Sequence, residues 1–554
     1  MKRRILAAAL AVCLLLAVPA AAAPAKSSYP DVPEGDWSIE SIEKAREYGL
    51  MQGGSDGGFG FNKDMTRGEF VTVLRRMFGW EEAKPEAPSF SDVKSGDWFY
   101  SAVEAALVHG AIDAGLYFNP KDPISRQDMA VMLIRALGYQ PLADAKESAA
   151  LPFDDVAENR GYIALAYSMG VISGIPQGGK LLFQPTKTST RQETAAMLVR
   201  TYERYTSKTS WLHGFYAQGS YGQIACADSM DGVSLGWSRI SVDPEKGPYL
   251  NQSSKSGNEW AVPQQSELAT GHLTDNKVPY NLSVYASASD KLTLGGTSTS
   301  SAAAAISTAE SRTQTVEAIV DAAADYAGVT IDFENLRDGL KEPFTAFMTQ
   351  LRAALPAGKT LFVCVQPLDW FEGYDYRTLG NLCDKVILMA HDYHDRSLPA
   401  GWVGTGQITN PPAPLNKVYD ALAAITDPNT GVADRSKIAL AISFTSVGLK
   451  LDKDGKLAET TIYSPAPDTI VGRLRQSDTV RGWDDTAATP YADYTAEGDR
   501  YRLWYEDARS VSAKMQLARM YGVGGVSLWR LGTIPNYGDA GLDYDVWSAV
   551  LAAE

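Results

Sequence analysis

Apolar and polar positions alternate in two different ways along this chain. Between about residue 29 and residue 205, apolar residues recur at helical spacing. Phe70, Val71, Leu74, Met77 and Phe78 are one such stripe. Beyond residue 211 they come instead as short unbroken runs, at 212–217, 232–239, 280–286, 327–333, 360–366, 385–391, 437–444 and 524–529. Runs this short read as buried strands. Helical patterns lie between several of them, such as Phe344, Phe347, Met348, Leu351 and Leu355. Eight buried strands alternating with helices over residues 211–554 predict an α/β fold, a (β/α)8 TIM barrel. The stretch from 445 to about 505 is too long for an ordinary connection, and WDDTAATPYADY and GDRYRLWYED within it predict a small inserted α+β hairpin subdomain.

The first part repeats itself. YPDV at 29, FSDV at 90 and FDDV at 153 open three units, and TRGEF at 66, SRQDM at 125 and TRQET at 190 recur within them. A period of about sixty residues marks stacked supersecondary units, here 28–86, 87–149 and 150–206. Thr66 with Glu69, Ser125 with Asp128, and Thr190 with Glu193 read as capping boxes. Arg67, Arg126 and Arg191 follow the caps. A cation in the first turn opposes the helix dipole, so helix propensity does not explain them. Two readings are open: a guanidinium that binds an anion, or an ion pair with the Asp that opens the same unit.

These units resemble S-layer homology domains, a mainly helical three-repeat module. The opening F-x-D-V, Trp37 and Trp98 six residues after Asp31 and Asp92, and the [TS]-R-x-[ED] helix start carry the resemblance. Gly161 stands where the third Trp is expected. The resemblance implies attachment to an anionic secondary cell-wall polymer, with Arg67, Arg126, Arg191, Asp31, Asp92, Trp37 and Trp98 as the contact residues.

Lys2, Arg3 and Arg4 precede an apolar run to about Val18, and small residues follow to Ala25, so residues 1–25 read as a secretory signal peptide. The run is shorter than the ~20 residues a spanning helix needs, and no later segment is apolar enough to span. A secreted protein without a membrane span in its mature form is the expectation. Hydrophobic content of 45% and charged content of 21% are those of globular protein. A net charge of −15 argues against nucleic acid as a partner. Cys226, Cys364 and Cys383 are too few and too scattered for a disulfide framework and read as free thiols. No metal-binding spacing and no organic cofactor motif is present.

The chemistry concentrates in GVTIDFENL at 328–336. On a strand with period two, Asp332 and Glu334 face one way and Phe333 the other. At the C-terminal end of a barrel strand, both carboxyls project into the mouth. Like charges this close raise one pKa, which suits Glu334 as proton donor. Ordinary glycosidases hold their two carboxyls on opposite faces of the sugar, and neighbours on one strand cannot do that. A glycosidase built this way needs another nucleophile, and a substrate 2-acetamido group is one.

The domain from 211 to 554 resembles glycoside hydrolase family 18, in its spore-cortex N-acetylglucosaminidase branch. The resemblance rests on GVTIDFE at 328–334, MAHD at 389–392, GVSLWRLG at 525–532, and the segments WYEDARS and GFYAQGSY. It implies Glu334 as general acid/base and Asp332 as the assisting carboxylate, with Asp392, Trp529 and Met389 binding substrate. Ala327 and Thr330 replace the first two Asp of the family motif, and His391 replaces its Tyr, so His391 or Tyr393 takes that residue's contact. Glu506 and Asp507 read either as cleft residues or as caps, and Trp504 and Tyr505 as packing of the inserted hairpin. The expectation is a wall-attached hydrolase of peptidoglycan or a related N-acetylglucosamine polymer. A chitinase-type enzyme and a noncatalytic wall-bound carbohydrate-binding protein are the alternatives.

Overall fold

The computed structural model describes residues 25–539 and 541–554. The signal-peptide reading therefore lies outside the described residues, apart from Ala25. Among the described residues, no helix is long and apolar enough to cross a membrane.

Each repeat is a short helix, a loop and a capped helix: Ile39–Glu47 with Arg67–Phe78, Tyr100–Val108 with Arg126–Ala136, and Arg160–Ser168 with Arg191–Tyr205. The capped helices begin where the repeats meet. Met65 N–H donates to Ser189 C=O at 2.9 Å and Ile124 N–H to Met65 C=O at 2.8 Å. Single antiparallel bridges pair Asp64 with Thr190, Thr66 with Pro123, and Ser125 with Thr188. Three helix starts thus close into a ring, and backbone groups that a helix N-terminus leaves unpaired find partners in the next repeat.

Thr66 and Thr190 form full capping boxes with Glu69 and Glu193. Ser125 accepts from Asp128 N–H, but the reciprocal bond expected of a box is replaced. The Asp128 carboxylate takes the Arg67 guanidinium instead, at 2.6 Å.

The end of the second repeat and the third repeat also pack on the second domain. Lys146 Nζ lies 2.6 Å from Asp420, and Ser168 Oγ lies 2.9 Å from both the Tyr419 and Tyr521 hydroxyls. These partners belong to the helices Leu415–Ile425 and Ala508–Met520 or follow directly on them. Arg204 donates to the C=O groups of Met169 and, at 3.1 Å, Met520, a cation at two helix C-termini.

The second domain is a closed barrel of eight parallel strands: β1 Trp211–Tyr216, β2 Gly232–Asp243, β3 Tyr280–Ser287, β4 Gly328–Glu334, β5 Thr360–Val365, β6 Lys385–Leu388, β7 Ile438–Ser443 and β8 Gly525–Trp529. Each strand pairs with the next, and β8 pairs with β1 through Gly525↔Trp211 to Leu528↔Gly214. All eight predicted runs are these strands.

Two features exceed the expectation. The insertion between β7 and β8 is a five-stranded antiparallel sheet with the helix Pro467–Leu474, larger than a hairpin. Beyond the barrel rim, β2 continues into an antiparallel pair with Gly247–Asn251, and Leu292–Leu294 pairs with Thr297–Thr299. Short strands rich in Gly, Ser and Thr carry little apolar periodicity, which is why the pattern does not reveal them.

Candidate active site

Phe333 points outward from β4 and stacks on Phe347 of the helix Lys341–Ala354, with ring centroids 5.3 Å apart. Asp332 and Glu334 therefore face the barrel interior and its mouth. Asp332 is only 3% exposed. Burial raises its pKa above the carboxylate range, and the Cys364 thiol on β5, which donates to it, works the other way. Burial also raises Glu334, and the neighbouring Asp332 adds to it, while His391 and Arg396 oppose. One proton is thus held readily by the pair near neutral pH.

Beneath Asp332 lies an uncharged polar layer. Thr330 Oγ1 is 2.7 Å from Ser234 Oγ, Ser234 Oγ is 2.8 Å from His213 Nε2, and His213 Nδ1 is 2.8 Å from Ser527 Oγ. Thr330 therefore ties into β1, β2 and β8 rather than into Asp332. Complete burial pushes His213 down to about 3, so it stays neutral.

The loop after β6 carries the MAHD segment. Met389 packs with Trp529 against Phe215 and Ile387 in the barrel interior. Asp392 adopts a left-handed φ of 59°. Its Oδ1 is buried without a partner among the described residues, while Oδ2 lies 3.2 Å from His391 Nδ1. Burial pushes Asp392 up, but the neighbouring His391 charge, bonds from His391 and Thr445, and the His394 charge outweigh it and hold it at about 2. Asp392 is a carboxylate with one free oxygen, suited to accept an N–H or O–H.

Tyr393 is not brought to this site. Its ring stacks on Trp370 at 5.2 Å, and its hydroxyl donates to Lys417 C=O at 3.4 Å. The turn that presents Asp392 swings the next side chain outward, so of the two candidates for the Tyr contact only His391 is at the pocket.

Trp529 packs edge-on to Phe215, with centroids 5.2 Å apart, and lies 5.9 Å from Trp260. Trp260 in turn stacks on Tyr285 at 4.7 Å and 8°. Tyr285 is in register with Asp332 across β3 and β4. Gly236 makes room for Trp260, since a Cβ there would lie 3.0 Å from the indole. The tip of β4 is braced by Gln366, whose Oε1 accepts from Asn335 N–H at 2.5 Å and from the Tyr374 hydroxyl at 3.2 Å. Tyr285, Trp260, Gln366 and Cys364 carry no motif. Tyr285 lies one residue before the end of the predicted strand 280–286 and Gln366 ends the predicted strand 360–366, while Trp260 lies in a loop without periodicity.

WYED is structural. Glu506 is buried against Lys514 at 2.8 Å, and Asp507 caps the helix Ala508–Met520. Trp504 donates from Nε1 to Ile408 C=O at 3.0 Å.

In the repeats, the arginines do not pair with the opening Asp of their own unit. Asp31 accepts N–H groups from Phe59, Gly60 and Phe61 at 2.7–2.9 Å, and Asp92 those of Phe118 and Asn119. Slight burial raises Asp31, but these backbone donors hold it below its ordinary range. Both carboxylates thus shape a loop rather than stand free. Arg67 and Arg191 cross to the next repeat, to Asp128 and Glu69, each at 2.6 Å. Arg126 donates to Phe183 and Ser173 C=O and has no carboxylate within ion-pair distance among the described residues.

Arg191, Lys63, Arg76 and Trp98 line a groove of about 660 Å³ on the first repeat. Trp98 comes from the second repeat, so this groove draws its Trp from the unit after it. The corresponding groove on the second repeat, about 280 Å³ around Arg67, Asp113 and Arg135, has no Trp. At Gly161 a Cβ would sit 1.8 Å from Ala143 C=O, so the chain after the second capped helix occupies the place of that indole.

The family model for glycosyl hydrolases family 18 matches residues 291–533, and the S-layer homology model matches 28–71, 89–130 and 152–195. The cortical fragment-lytic enzyme of Bacillus anthracis is 28% identical over 214 residues, covering 37% of this chain and 46% of that protein. Amylopullulanase of Thermoanaerobacterium thermosulfurigenes is 32% identical over 176 residues, 30% of this chain and 9% of that protein. The chain thus spans less than half the length of these two relatives. The crystal structure of the Bacillus cereus spore cortex-lytic enzyme SleL matches with a TM-score of 0.47 at 17% identity, over 74% of this chain and 84% of that one. Residues 28–195 carry three S-layer homology domains, and the barrel that follows belongs to glycosyl hydrolase family 18.

Proposed function

We propose that this protein is a wall-attached glycoside hydrolase that cleaves β-1,4 links after N-acetylglucosamine in peptidoglycan, with retention, using the substrate's 2-acetamido oxygen as nucleophile. The observation that carries this is the placement of Asp332 and Glu334 on one face of one strand. Both carboxyls approach the sugar from the same side, so neither acts as an opposite-face nucleophile or base. Glu334, held protonated, gives its proton to the leaving oxygen and then takes one from water. Asp332 accepts the acetamido N–H and stabilises the oxazolinium. Asp392 and His391 hold the acetamido group, and Trp529 with Met389 forms the floor under the ring.

The kinship with a cortical fragment-lytic enzyme supports peptidoglycan as substrate. The S-layer homology domains support attachment to an anionic wall polymer, and the Arg191–Trp98 groove has the cations and the exposed aromatic such a ligand needs. Export of the chain belongs to the same proposal.

The test is digestion of purified peptidoglycan and of chitin oligomers by the full chain, beside Glu334→Gln, with mass spectrometry and NMR of the products. The expected products end in a reducing N-acetylglucosamine that is initially the β anomer. Binding without cleavage of either substrate sinks the proposal and leaves a carbohydrate-binding protein.

A further inference from the structure

The loop after β6 contains a cation without a partner. Arg396 is exposed, and among the described residues it makes no ion pair within 4 Å. The other arginines near the strand ends are engaged. Arg239 pairs with Asp290, Arg337 lies over the Phe371 ring, and Arg530 donates to Gln218 C=O. Arg396 stands out further in a chain of net charge −15.

Its backbone is fixed although its side chain makes no hydrogen bond or ion pair among the described residues. On one side, Asp395 N–H donates to Asn410 Oδ1 at 2.9 Å and Asn410 Nδ2 to Asp395 C=O at 3.1 Å. On the other, Ser397 bridges Thr461, and Leu398 N–H donates to Thr460 C=O at 2.9 Å, tying the loop to the inserted subdomain. The loop begins with Met389, His391 and Asp392 at the pocket itself. The guanidinium is therefore presented from a fixed point between the pocket and the inserted sheet, and its charge reaches Glu334 and His394.

We propose that Arg396 is a specificity-determining residue that pairs with a carboxylate carried on the lactyl branch of the sugar next to the cleaved bond. The inference rests on the hydrolase reading above and deepens it. Chitin and peptidoglycan share the acetamido sugar that the pocket binds. They differ in the lactyl branch, whose carboxylate is either free or extended by an acidic stem peptide. A guanidinium matches a carboxylate in geometry and charge and gains nothing from a neutral acetylated sugar. Negative charge elsewhere on the protein repels the same ligand, so one cation at the mouth also sets the approach.

The experiment compares the full chain with Arg396→Gln and Arg396→Lys on three substrates. These are chitin oligomers, intact peptidoglycan, and glycan strands stripped of stem peptides by an amidase. Arg396→Gln is expected to lower kcat/KM about tenfold on at least one carboxylate-bearing substrate and to leave chitin oligomers within about twofold. Arg396→Lys recovers part of the loss. Loss on stripped strands assigns the free lactyl carboxylate, and loss on intact peptidoglycan alone assigns the stem peptide. Equal loss on all three substrates, or no loss on any, overturns the inference while the hydrolase reading stands. A wild type inactive on all three overturns both.

Discussion

Asp332 and Glu334 stand two residues apart on the inner face of β4, and among the described residues neither has a cation within 4 Å. Buried carboxyls without a counter-ion bind protons more tightly in the folded chain than in the unfolded one. Glu334 is thus raised above its ordinary 4.5, by burial first and then by Asp332. The sign follows from proton linkage: its contribution to stability is complete below pH 4.5 and is lost as pH rises through the folded value. Glu334→Gln removes that loss. The variant is expected to lose about 10²–10⁴ in kcat and yet to fall less in Tm than wild type between pH 5 and pH 8. Thermal melts at the two pH values, beside a rate assay, check this. Parallel melting curves for both proteins assign the alkaline loss to other groups.

Trp260 approaches from outside the barrel strands and stacks on Tyr285 beside Asp332. Among the described residues its Nε1 makes no hydrogen bond, so it donates to neither carboxyl of β4 and its removal leaves proton transfer in place. Aromatic contacts of this kind contribute about 1 kcal/mol. Trp260→Ala is expected to raise KM about fivefold, the equivalent of that energy, with kcat within about twofold. Steady-state kinetics on a soluble oligomer separate the two constants, and a fall in kcat alone shows that the indole orders the catalytic groups instead.

The barrel was legible because buried parallel strands read as apolar runs whatever their partners, and each of the eight runs became one strand. Asp332 and Glu334 were legible through strand period and position. Trp260 and Cys364 were not, because their place at the site depends on which loops and strands become neighbours in space. Tyr393 was misplaced for a local reason. The left-handed φ at Asp392 redirects the chain, and an Asp in that conformation cannot be read from spacing. The arginines of the repeats were half legible: their charge excluded a helix-propensity role, but their partners lie one repeat away, beyond any local pattern.

Trp98 is 65% exposed and lines the groove that Arg191 closes, while Gly161 has no space for a side chain. Two outcomes follow for wall binding. Trp98→Ala is expected to weaken co-sedimentation with purified walls while moving Tm by about 1 °C or less, because an exposed side chain contributes little to folding. Gly161→Trp, which restores the repeat consensus, is expected to lower Tm and not to improve binding, since its Cβ would lie 1.8 Å from Ala143 C=O. A fully stable Gly161→Trp protein with stronger wall binding contradicts the closed position.

Glu506 and Lys514 form an ion pair whose side chains are 1% and 2% exposed, at the start of the helix that the third repeat packs against. Ser510 Oγ also donates to Glu506 Oε2, at 2.6 Å. Removing one partner leaves an uncompensated buried charge, so Lys514→Met is expected to destabilise the chain by about 3–5 kcal/mol. Removing both charges together avoids that penalty. Glu506→Gln combined with Lys514→Met is therefore expected to recover most of the loss, although the double variant has made one more substitution in the core. Denaturant unfolding of the two single variants and the double variant reads the coupling directly. Additive losses mean that the pair is held for packing, with its charges already screened. Recovery in the double variant identifies the pair as one electrostatic unit, whose two charges must be kept or lost together.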